Sequence, residues 1–334
     1  MGSYPPGMRR ALASMLAVSL FWLASPVRAQ PSAQSVLTDM GVSEADRQRV
    51  LNREFVSADI SSVSDRDLGN SIVFMVKTTP DALAKQLVAG ELTSGDPQVK
   101  VHGTLRGEGS PADLAGLQIS SAEAQALGRA KAGSAFNLAT SEIAALNAVA
   151  SGDRDAVQRK LHDILLARYR AYRAGGLAGI APYDRGGSST DVADELRKAT
   201  EAAKVLRKHM PAFHAMLLGY PKATAPNTSE RFSWALYDVN GTPTYVLTHI
   251  VTAAEGPVRG FAQRQFYVST AYNVEQALGG FLPVQGGTIV VYAAHAFTDQ
   301  VAGLGGAMKR GIGRRVMAEK LRAMFEADRK LLEK

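Results

Sequence analysis

From residue 234 onward, long apolar and β-branched runs are separated by short polar or glycine-rich breaks, and after residue 300 the apolar period changes. Residues 234–237 with 244–253, then 264–272, then 288–296 read as strands, because Val, Ile, Thr and Tyr dominate them. The last, TIVVYAAHA, is almost wholly apolar, which predicts a strand covered on both faces. Gly256, Pro257, Gly279, Gly280, Pro283, Gly286 and Gly287 are read as the connections, and such turn chemistry predicts antiparallel hairpins. Beyond them Val301, Leu304, Met308, Ile312, Val316, Leu321, Met324 and Phe325 follow the spacing of one long amphipathic helix. Gly303, Gly305, Gly306, Gly311 and Gly313 each cost that helix about 1 kcal/mol against alanine, so tertiary contact must hold it. Strands running into a terminal helix favour an α+β fold, a curved antiparallel sheet gripping the helix. The glycines then either bring the helix down onto the sheet or leave room for a guest.

The first hundred residues add a smaller set. Thr38 or Ser43 is placed to cap a short helix through Val50 and Leu51. Residues 55–60 and 71–78 are strand candidates around a polar turn at 61–67, and Pro80 opens a helix with Leu83, Leu87 and Val88 on its apolar stripe. Residues 98–105 alternate with period two as a half-exposed strand. From Ser110 to about Leu218 helical periodicity takes over, with helices expected at 122–130, 141–149, 154–173 and 190–208 and breaks at 175–179 and 186–189. Too few strands lie on either side of this block to close a sheet alone. Residues 110–220 are therefore expected to be a mainly helical insertion in one domain, 30–334.

Composition sets the compartment. Arg9 and Arg10, an apolar run at 11–23 and the exit Val27, Arg28, Ala29 have the three parts of a secretory signal, cleaved after Ala29. The run falls short of the about 20 apolar residues that span a bilayer. The expected location is the periplasm. Removing the leader takes away three arginines and no acid, so net charge falls from +7 to +4. Cations elsewhere are interleaved with acids, which argues against nucleic acid. The terminal helix differs: Lys309, Arg310, Arg314, Arg315, Lys320 and Arg322 form a cluster suited to an anionic membrane surface. The chain has no cysteine, which excludes thiol catalysis, thiolate zinc sites and a disulfide framework.

Candidate chemistry is sparse. The six histidines are scattered, His209 and His214 are one residue too far apart for the i, i+4 metal spacing, and Pro211 lies between them. The chain has no G-x-S-x-G or H-E-x-x-H motif, and Gly303 to Gly313 match neither a phosphate loop nor a dinucleotide fingerprint. No cofactor or metal is expected, and catalysis is not. A His249–Asp299 pair is the one acid–base arrangement worth a check. The polar residues that interrupt apolar strands are Tyr245, His249, Arg264, Gln265, Tyr267, Ser269, Tyr272, Tyr292 and His295. An apolar pocket with a few convergent polar groups is the usual form of a small-ligand site. Strict alternation puts Gln265, Tyr267 and Ser269 on one face and Arg264, Phe266 and Val268 on the other.

Tyr172 to Gly176 with Tyr183 and Asp184, Tyr220 with Pro221, Trp234, Thr248 with His249, RQFYVS at 264–269, and Asp299 with Gly303, Lys309 and Arg310 resemble a family of exported bacterial proteins of unassigned function. This chain departs from that pattern at Thr270 and Ala271, where the family carries a His-Tyr pair. In element order alone the chain is also similar to the START-like helix-grip superfamily. That resemblance implies an apolar ligand, such as a lipid, held between sheet and helix. Binding or carriage of an apolar or amphipathic small molecule is the leading expectation. Docking of a partner or membrane surface through the basic helix is the alternative.

Overall fold

The computed structural model describes residues 31–333 apart from Asp59, Leu92, Ser94, Gly95, Ser151 and Leu304 and the side chains of Asp328 and Lys330. The leader expected at 1–29 lies outside the described residues. Seven strands, β1 (Asn70–Val76), β2 (Val99–Leu105), β5 (Ser229–Val239), β6 (Thr242–Glu255), β7 (Val258–Val268), β8 (Val274–Val284) and β9 (Gly287–Phe297), form one antiparallel sheet. Its order is β1-β9-β8-β7-β6-β5-β2. Two short strands, β3 (Tyr183–Asp184) and β4 (Ser189–Thr190), pair separately. The run from β5 to β9 is a meander of hairpins. The first turns at Asn240 and Gly241, whose φ values of 53° and 82° supply the left-handed geometry that a tight hairpin needs.

The α-helices of the described residues include α1 (Ala33–Asp39), α2 (Glu44–Leu51), α3 (Pro80–Ala89), α4 (Ser121–Leu127), α5 (Thr140–Asn147), α6 (Arg154–Gly175), α7 (Val192–Ala202), α8 (Lys204–His209), α9 (Pro211–Gly219) and α10 (Gly306–Leu332). Thr79 caps α3 by accepting from the Ala82 N–H, with Pro80 in the first turn. The helical block leaves the sheet after β2 and re-enters as β5, which pairs with β2. It covers one sheet face, where Leu165, Tyr169 and Tyr172 of α6 share a core with Phe232, Trp234, Leu247 and Phe266. On the same face α1 and α9 pack with Val73, Val251 and Leu278. The other face carries Phe74, Ile250, Phe261, Phe281, Val290 and Tyr292 and is covered by α3 and α10.

Several sequence expectations are corrected. The described residues of 55–60 form no strand, and their only sheet-like pairing is Val56 with Val73. The strand expected at 264–272 is β7, ending at Val268; a turn follows, with Ala271 at a φ of 66°. Gly279, Gly280 and Pro283 belong to β8 rather than to a connection. Position 279 needs glycine, because a Cβ there would collide with the Val291 carbonyl and the Phe261 ring. The helix expected at 190–208 breaks at Ala203, and Pro211 starts α9, where its missing N–H costs nothing. Gly303 and Gly305 precede α10, both at a φ of 74°.

The apolar stripe of the terminal helix also divides. Met308, Ile312 and Val316 are 71%, 61% and 46% exposed, whereas Phe325 is buried and Met317, Leu321 and Met324 pack against the sheet. Residues 308, 312 and 316 advance about 40° per step at 3.6 residues per turn, and the five-residue step to 321 turns a further 140° or so. The two groups therefore occupy different sides of α10.

Candidate functional site

Between α3, α10 and the sheet lies a cavity of about 520 Å³. Its walls are graded in polarity by the strand register. Phe281 of β8 pairs with Val290 of β9, which pairs with Phe74 of β1, an apolar row closed by Leu83 and Leu87 of α3 and Phe325 and Leu332 of α10. From Glu275, further along β8, a second row crosses the sheet through Gln265 of β7 and Thr248 of β6 to Ser233 of β5. Tyr237, Tyr272, Asp96 and Gln98 extend that polar end.

Glu275 is the distinctive group of this end. Among the described residues nothing hydrogen-bonds its carboxyl, and none donates to or accepts from the hydroxyls of Tyr237 and Tyr292 either. Tyr272 Oη donates to Gln265 Oε1 at 2.7 Å, and Asp96 Oδ1 accepts from the Gln98 N–H at 2.9 Å. Burial, and then the Asp96 charge, push the Glu275 carboxyl up to about 7. Burial also raises the Tyr237, Tyr272 and Tyr292 hydroxyls.

Stability must respond to this. Below pH about 4.5 native and unfolded chains both hold the Glu275 proton; between there and pH 7 the unfolded chain releases it first, so stability falls as pH rises. We expect Glu275→Gln to be more stable than the parent by about 2 kcal/mol at pH 8 and equal to it at pH 4, measured by urea unfolding. A variant less stable at pH 8 would mean that the carboxylate has a partner.

The sequence candidates divide between the two faces. Gln265 and Tyr292 line the cavity. Tyr267 does not, because a bulge at Phe266, where Leu247 pairs with Tyr267 and Thr248 with Gln265, reverses the alternation. Tyr267 instead faces the helical block, with the Arg168 guanidinium 4.3 Å from its ring centre. Ser269 and Tyr245 bind each other through backbone: the Tyr245 N–H donates to Ser269 Oγ at 2.8 Å, and the Tyr245 hydroxyl donates to Glu123.

Arg264, 2% exposed, centres a closed network on that block-facing side. It donates to Gln276 Oε1 at 2.7 Å, to Tyr172 Oη at 3.3 Å, to Thr200 Oγ1 at 3.3 Å and to the Leu217 carbonyl at 3.1 Å. His249 bonds Tyr172 Oη through Nδ1 at 3.0 Å and Glu230 Oε2 through Nε2 at 3.0 Å. Burial lowers the imidazole pKa, and the hydrogen bond from His249 lowers that of Glu230. A neutral ring donating to a carboxylate leaves Nδ1 as acceptor, so donation runs from Arg264 to Tyr172 to His249 and ends on the Glu230 carboxylate. His249 and Asp299 do not pair: Asp299 binds Arg66 at 3.0 Å and Arg185 at 3.1 Å. Tyr172, His249 and Arg264 line neither of these two cavities.

His295 donates through Nδ1 to Asp67 Oδ2 at 2.8 Å and lines a second cavity of about 480 Å³ on that side, beside Met210, Leu278 and Leu282. His209 binds Asp39 and His214 the Thr200 carbonyl. Among the described residues no group of three His, Asp or Glu side chains is arranged to hold a metal ion.

Sequence reading missed Glu275, Gln263, Thr248, Tyr237 and Asp96 as lining residues. Period-two spacing of Glu275, Ala277, Gly279 and Phe281 is the available signal, and the turn-like composition of Gly279, Gly280 and Pro283 obscures it. No family model, curated protein or solved structure matches the chain.

Proposed function

We propose that the protein binds, and carries within the periplasm, an apolar molecule with one polar end, held between the sheet and α10. The polarity gradient of the cavity is the observation that carries this reading. A dodecyl-sized chain would lie on Phe74, Phe261, Phe281 and Phe325, and its head would meet the Ser233 to Glu275 row. Such a gradient fixes ligand orientation, since a reversed ligand would strand its polar end among apolar side chains. The strand order, the helix between the first two sheet strands and the long terminal helix across one face are consistent with a helix-grip fold of START-like type. The leader-like residues 1–29 support export. Mass spectrometry of organic extracts of the purified protein tests the reading. An amphiphile co-purifying at near one-to-one stoichiometry is expected, and loss of that signal is expected in Gln263→Trp/Thr248→Trp, which fills the cavity. An equal yield from both proteins would contradict it.

A second reading concerns where such a ligand is exchanged, and the exposure of Met308, Ile312 and Val316 favours it. These three form a stripe on the outward side of α10, flanked by exposed Lys309 and Lys320 on one edge and Arg315 and Arg322 on the other. Apolar residues between cations match an anionic bilayer surface, where the stripe enters the headgroup boundary and the cations meet phosphate. Of the cluster expected from sequence, Arg310 turns inward to the Asp65 and Val301 carbonyls and Arg314 is half-buried. Co-sedimentation with phosphatidylglycerol vesicles is expected to weaken about tenfold in Ile312→Asp and to fall with added salt. Unchanged sedimentation would remove this reading and leave the cavity untouched.

A further inference from the structure

We infer that the ligand's polar end is a basic nitrogen, and that the cavity discriminates against fatty acids and other anionic amphiphiles. The inference rests on the cavity reading above and concerns only which head group the polar end accepts. Glu275 stands on the cavity face of β8 without a hydrogen-bond partner among the described residues, opposite Gln265 in register. A carboxyl held in this way favours a ligand that brings a donor or a cation, because a half-buried carboxylate without a partner is costly. The other charge acting on it is a second carboxyl, Asp96, which also lines the cavity. Two carboxyls with no cation between them repel an anionic head and attract a cationic one.

The only cationic side chain among the described lining residues, Lys320, is exposed on α10 and is not among the charges that act on Glu275. Tyr237, Tyr272 and Tyr292 complete the surroundings. Their rings offer faces to an ammonium group, and the two hydroxyls without partners accept its hydrogens. A neutral alcohol would satisfy one carboxyl by a single hydrogen bond but would leave the repulsion between Asp96 and Glu275 in place. An ammonium group relieves both.

Isothermal titration of the full protein at pH 8 with dodecylamine, dodecanol and dodecanoate separates the outcomes. We expect the amine to bind about tenfold or more tightly than either other probe, and that ratio to fall to near one in Glu275→Gln. The variant's higher expected stability at this pH keeps misfolding out of the comparison, and urea unfolding checks it. Equal binding of all three probes, or an amine preference that survives in Glu275→Gln, would overturn the inference and leave the cavity reading standing. Failure of all three to bind would overturn both.

Discussion

Arg264→Ala is expected to lower the unfolding free energy by about 3 kcal/mol or more, the largest loss from any single polar side chain in the sheet. The guanidinium donates to four acceptors on β8, α6, α7 and α9, all of them on buried residues. Truncation leaves the Leu217 carbonyl and Gln276 Oε1 without donors, breaks the donor chain through Tyr172 to His249 and Glu230, and opens a void of arginine size. Arg264→Met retains most of the stem's packing but none of the donors, so its loss should fall between parent and alanine. Urea unfolding should shift the midpoint at unchanged slope. A loss below about 1 kcal/mol would mean that the helical block is held to the sheet by apolar packing alone.

Phe325→Ala is the second large effect, expected at about 3 kcal/mol. Its ring centre lies 4.8 Å from that of Phe74 and 5.2 Å from that of Tyr292, so it ties α10 to the aromatic core of the sheet. Amide hydrogen exchange in α10 should quicken in this variant before the rest of the fold opens. Ile312→Ala, on the same helix but exposed, should change stability by less than about 0.5 kcal/mol. Comparable losses from both variants would contradict the division of the helix into two faces.

That division shows where sequence reading ends. Three- and four-residue spacing merges Met308, Ile312 and Val316 with Leu321, Met324 and Phe325 into one apolar face, whereas the structure exposes the first three and packs the last three. At Gly313 a Cβ would lie 2.9 Å from the Leu68 side chain. The glycine lets the helix sit low on that loop, while from Met317 to Leu332 larger side chains line the cavity. Gly313 thus answers the glycine question for the first half of the helix, as a close approach to the Leu68 loop.

The sheet itself was legible wherever apolar runs were unbroken or alternation was regular: residues 71–78, 98–105 and 288–296 became β1, β2 and β9 with small shifts at their ends. Residues 274–284 were not, because Gly279, Gly280 and Pro283 have the composition of a turn. A glycine demanded by a neighbouring carbonyl and ring is visible only after the strands are paired. Gln265 could be placed by alternation and Tyr267 could not, since one bulged residue at 266 exchanges the faces beyond it. Losing β8 from the reading also lost Glu275, the group that gives the cavity its polarity.

Photolabelling with dodecanol carrying a diazirine near its methyl end tests the central claim most directly. After irradiation and digestion, labels are expected on Phe261, Phe281, Leu83, Leu87 and Phe325, which surround the apolar end of the cavity, and competition with unlabelled amphiphile should remove them. Labels on Met210, Leu278 and Leu282, around the cavity on the opposite face, or an unsaturable scatter over exposed residues, would contradict binding between the sheet and the terminal helix.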